Sequence, residues 1–107
     1  MIYSLDEIKK RIAPVAQKYD VPAVWIFGSY ARGEADENSD VDILFQREGS
    51  KIHGLLIGAL YEEMSESLGK KLDLVTLEAI STDEAWEESP WFIRSVYDDR
   101  VKIYESN

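Results

Sequence analysis

The fold class predicted for this chain of 107 residues is α/β, a small mixed sheet of about four strands with helices packed on it. Three observations lead there. Apolar residues recur at helical spacing and then at strand spacing, and the two patterns alternate along the chain. Short runs of strand-forming residues are bounded by turn residues. The apolar share is 45% and the aromatic share 11%, enough at this length for one core, so a single domain over residues 1–107 is expected.

The elements follow in order. Ser4, three residues before Glu7, is a capping-box signature. Behind it Ile8, Ile12, Val15, Ala16 and Tyr19 stand at helical spacing. Pro14 lies inside this helix and is expected to kink or split it, and Asp20-Val21-Pro22 ends it. Ala23–Phe27 reads as a buried strand closed by Gly28. Ser29–Gly33 reads as a short helix, and residues 34–39 as a polar, acidic loop. Val41–Phe45 is the second strand. Residues 53–68 give the clearest helix, with Leu56, Ile57, Leu60, Tyr61, Met64 and Leu68 as one apolar stripe and Gly69 at the C-cap. Leu72–Thr76 is the third strand, residues 77–89 read as irregular, and Pro90 starts a last helix to about Tyr97. Val101–Tyr104 reads as an edge strand.

Composition narrows the function. A formal charge of −9 repels phosphate backbones and anionic membranes, so neither direct nucleic-acid binding nor membrane binding is expected. Cysteine is absent, which removes disulfides, thiolate metal sites and thiol nucleophiles. No apolar run approaches the roughly 20 residues that span a bilayer, and the first residues lack a signal-peptide pattern. A cytoplasmic protein is the expectation.

Three features converge on one chemistry. Gly28-Ser29 sits where a strand turns into a helix; glycine admits close approach, and free amides with a serine hydroxyl suit an anion. Asp40 and Asp42 open a strand and share a face, about 7 Å apart at their α carbons. Carboxylates that close repel unless one is protonated or a cation intervenes. Asp73 interrupts an apolar strand, where a charge needs a pairing partner such as Lys70 or Lys71, or a metal ion. If the second and third strands are neighbours, the three acids gather into an oxygen-only site suited to Mg²⁺. Such a site supports in-line attack on phosphorus, with two ions at work and Asp73 as base or orienter of the hydroxyl.

The run from Gly28 to Ala35, followed by Ser39-Asp40-Val41-Asp42-Ile43-Leu44, resembles the signature of the DNA polymerase β-type nucleotidyltransferase superfamily. More narrowly it resembles the minimal nucleotidyltransferases, MNT antitoxins paired with HEPN toxins. The likeness runs from about Ala23 to Tyr104. It implies that Gly28 and Ser29 contact the triphosphate of ATP, that Asp40, Asp42 and Asp73 hold the magnesium ions, and that Asp73 activates the acceptor. Arg32, in the same signature, either helps with phosphate charge or bridges Glu34 or Asp36 at the surface. The implied activity is transfer of AMP from ATP onto a tyrosine of a HEPN ribonuclease toxin. Stoichiometric masking of the toxin and transfer to a small molecule are the alternatives.

The remaining conspicuous residues have simpler readings. His53 reads as a surface or helix-end residue. Trp86, Trp91 and Phe92 read either as lids on the core or as anchors for a protein partner. Tyr30 and Tyr61 read as packing residues in preference to acceptors for self-modification.

Overall fold

The sheet has four strands in the order β3-β2-β1-β4, with β1 Ala23–Phe27, β2 Val41–Phe45, β3 Leu72–Thr76 and β4 Val101–Glu105. The computed structural model describes residues 1–106. β1 pairs antiparallel with both β2 and β4, while β2 and β3 run parallel, so the sheet is mixed. The parallel pair needs a crossover, and α3 (Leu56–Leu68) supplies it. The other helices are α1 (Leu5–Lys18), α2 (Gly28–Arg32), α4 (Asp83–Glu88) and α5 (Pro90–Asp99). Among the described residues, no helix is long and apolar enough to cross a membrane.

Side-chain alternation gives the sheet two apolar faces. Val24 and Ile26 of β1, with Val41, Ile43 and Phe45 of β2, pack with α1 and α3 residues including Ile8, Ile12, Leu60 and Met64. Ala23, Trp25, Phe27 and Leu44 face the other way and pack with Ile93 and Val96 of α5. β1 is covered on both faces, which explains its unbroken apolar run. Asp42 and Asp73 project on the α5 side, opposite Ile43 and Leu74.

Several local expectations need correction. Pro14 does not split α1, which runs through it. Pro14 is exposed, and so is Lys10, whose carbonyl is the one left without an amide, so water can satisfy it. α3 begins at Leu56 rather than residue 53, because Gly54, at φ +50°, breaks the helical path ahead of it. Only Leu60, Met64 and Leu68 of its stripe are buried; Leu56 and Ile57 are exposed. Residues 83–88 are helical rather than irregular, because the Thr82 side chain accepts the Ala85 amide as an N-cap. His53 is exposed, as expected. Tyr30 is buried in the core, and its hydroxyl has no hydrogen-bond partner among the described residues.

Candidate active site

Strand register builds the centre of the site. Asp42 stands opposite Asp73 in the parallel β2–β3 ladder, and opposite Phe27 across the antiparallel β1–β2 pair. The next residue of the chain after Phe27 is Gly28, which opens α2 at φ +70°. A β carbon added to Gly28 would lie 2.0 Å from Asp42 Oδ2. The glycine is therefore required by Asp42 itself as well as by its left-handed backbone. Gly33, at φ +74°, closes the short helix.

Gly28, Asp42 and Asp73 line one cleft of about 450 Å³. Its opposite wall comes from α5, through Phe92, Ser95 and Val96. Asp42 is half-buried and Asp73 exposed. Burial pushes the Asp42 carboxyl up to about 6, reinforced by a hydrogen bond with Asp73 and by the charges of Asp73 and Asp40; Arg32 opposes the rise. At neutral pH this is a concentrated negative site.

Of the three acids, strand register brings Asp42 and Asp73 together and leaves Asp40 apart. Asp40 is exposed just before β2 and acts on Asp42 through its charge without lining the cleft. Among the described residues, no three acidic or histidine side chains already converge on one cation position. Asp73 also owes nothing to a lysine: Lys70 donates to the Glu37 carbonyl, and Asp73 forms no ion pair among the described residues. β3 is an edge strand, so this charge reaches solvent rather than the core.

Ser29 follows Gly28 but lies outside the cleft lining. Arg32 is bound to Glu34 at 2.9 Å and to Asp99 at 2.7 Å, the surface bridge to Glu34 that was one of its two readings. The Asp99 contact ties α2 to the end of α5 and so holds the far wall of the cleft. Phe92 and Ser95 were not singled out as cleft residues from sequence, nor Asp99 as the residue that ties α5 to α2. Their spacing of three, four and seven residues is the signal that one helical face carries them. Trp91 is 81% exposed, and neither Trp86 nor Phe92 is core; Trp86 stacks on Tyr97 at 6.1 Å.

A mixed sheet that sets two aspartates side by side against a glycine turn is the architecture of a nucleotide-transferring domain. The chain belongs to the polymerase beta nucleotidyltransferase family, whose pattern matches residues 10–107. That places it among enzymes of the nucleotidyltransferase class. It is 42% identical over 78 residues to a candidate protein adenylyltransferase of Methanocaldococcus jannaschii, covering 72% of this chain and 82% of that one. It is 47% identical over 60 residues to the protein adenylyltransferase MntA of Thermococcus cleftensis, covering 55% and 59%. Among solved structures, it resembles a candidate minimal nucleotidyltransferase at TM-score 0.64 and 27% identity, covering 92% of this chain and 95% of that one. The fold is shared too with a toxin–antitoxin crystallised with AMP-PNP, at TM-score 0.69 and 19% identity over 92% of this chain and 74% of that one.

Proposed function

We propose that the protein is a magnesium-dependent nucleotidyltransferase that moves AMP from ATP onto a tyrosine of a HEPN ribonuclease toxin, acting as its antitoxin. The observation that carries the reading is the register pair Asp42–Asp73 facing Gly28 in one cleft. Two relatives bear the name protein adenylyltransferase, and one fold neighbour is a toxin–antitoxin complex, which supports this choice of acceptor.

The donor set fits magnesium. It consists of hard carboxylate oxygens, and Asp42 and Asp73 crowd together with no lysine or arginine bridging them in the cleft. Asp42, Asp73 and Asp40 are the residues to hold the ions. Bound ions would neutralise the triphosphate and lower the acceptor's pKa. The chain's own part is then positional. Asp73, the more exposed acid, takes the proton of the acceptor hydroxyl. That oxygen forms a bond to the α-phosphorus, the bond from phosphorus to the bridging oxygen breaks, and pyrophosphate leaves. Gly28 keeps the turn close to Asp42 without filling the cleft.

The test is incubation with the toxin, Mg²⁺ and α-labelled ATP. Label appears on the toxin, and Asp42→Asn or Asp73→Asn abolishes both label and neutralisation. Neutralisation without label, retained in both variants, replaces transfer by stoichiometric masking. Trp91, exposed beside the cleft wall, favours that second reading.

A further inference from the structure

We infer that Phe92 stacks on the nucleobase of the bound nucleotide and that the cleft therefore selects bases weakly; this rests on the nucleotidyltransferase reading above. The cleft lining is of two unlike kinds. One comprises Gly28, Asp42 and Asp73; the other is apolar, formed by Phe27, Val75 and Phe92 with their neighbours. A ligand that suits both is anionic at one end and flat and apolar at the other. A nucleotide has that character once its phosphates are paired with cations at the acids.

Phe92 is the ring placed to meet the flat end. It stands edge-to-face with Phe27, centroids 6.0 Å apart and planes at 82°. Phe27 is 6% exposed and belongs to the core, whereas Phe92 is 45% exposed in the cleft wall. An apolar ring left in water at the wall of a cleft gains when a second flat surface covers it. Phe27 adjoins Gly28 in the chain and pairs with Asp42 across the β1–β2 ladder, so the apolar surface borders the acids directly. The Arg32–Asp99 bridge holds α5, and Phe92 with it, at a fixed distance from α2.

Base selectivity follows from what the wall lacks. Ser95 carries the one hydroxyl among the lining side chains, and its oxygen is 3.4 Å from Asp99 Oδ2. The remaining lining side chains are apolar or are the two acids assigned to cation binding. Every base offers a π-face, so stacking without edge contacts discriminates little.

Calorimetric titration of the full chain with MgATP and with magnesium-loaded inorganic triphosphate tests this. Phe92→Ala weakens MgATP binding about tenfold or more and changes triphosphate binding less than about twofold. Phe92→Tyr restores MgATP affinity, and wild-type affinities for ATP, GTP, CTP and UTP lie within about tenfold of one another. The inference is overturned if Phe92→Ala binds MgATP as wild type does, or loses both ligands equally. It is also overturned if the wild type binds one of the four nucleotides more than about tenfold tighter than the others. If the wild type binds neither ligand, the nucleotidyltransferase reading itself falls, and that outcome is distinct from the others.

Discussion

The contact between Gly28 and Asp42 allows a quantitative prediction. Alanine at position 28 puts its β carbon 2.0 Å from Asp42 Oδ2 and 3.0 Å from Cγ, well inside the ordinary contact distance of 3.4 Å or more. Asp42 sits in β2, hydrogen-bonded on both sides, so its backbone cannot retreat. Its carboxylate must rotate away from Asp73, at about 0.5–1.5 kcal/mol for leaving a staggered well. Alanine at φ +70° adds about 1–2 kcal/mol. Gly28→Ala should therefore cost about 1.5–3.5 kcal/mol. In an Asp42→Ala background the offending oxygen and Cγ are gone, and the remaining neighbour, Asp42 Cβ, lies at an acceptable 3.4 Å. There the same substitution should cost only the backbone term, about 1–2 kcal/mol. Urea unfolding of the four proteins of this cycle, followed by tryptophan fluorescence, gives the coupling directly. Additivity within about 0.5 kcal/mol would show that Gly28 is needed for its φ angle alone.

Three further outcomes are expected. Asp42 is raised from 3.8 to about 6, so the folded state holds this proton more tightly than the unfolded chain. The stability this confers is complete below pH 3.8 and lost as pH rises through about 6. The rise corresponds to about 3 kcal/mol at full strength, and to about 1–2 kcal/mol once screening of a half-exposed group is allowed for. Asp42→Asn should thus match wild type near pH 4 and exceed it by that amount at pH 7.5 without divalent ions, in calorimetric melts; a variant less stable at pH 7.5 refutes the assignment. Tyr30→Phe removes a buried hydroxyl without a partner and should raise stability by about 1 kcal/mol, read as a higher urea midpoint. Ser4→Ala removes the acceptor of the Glu7 amide and should cost about 1 kcal/mol in the same measurement.

How legible the molecule is from sequence depends on whether the signal is local. β1, β2 and β3 begin and end where their strand formers and flanking turns place them, because both cues lie within a few residues. Thr82 was a missed local cue, a cap ahead of a helix too polar to show an apolar stripe. The site divides the same way. Alternation put Asp40 and Asp42 on one face, but the register that seats Asp73 opposite Asp42 is a long-range property of the sheet. The use of Gly28 as the space into which Asp42 fits joins residues on different elements, and no spacing rule reports it. The exposure of Trp91 and the cleft position of Phe92 depend on how α5 lies across the sheet, which composition does not specify.

The two acids owe their separation to the backbone rather than to their own side chains. As ladder partners on parallel strands, they are set by the interstrand spacing of about 4.8 Å, a length common to all sheets. The crossover between these strands can then lengthen, shorten or change composition without retuning the centre, provided α3 still covers its side of the sheet. Variation in the surrounding segments, natural or engineered, is free to alter what the cleft receives while the chemistry at its floor keeps one gauge.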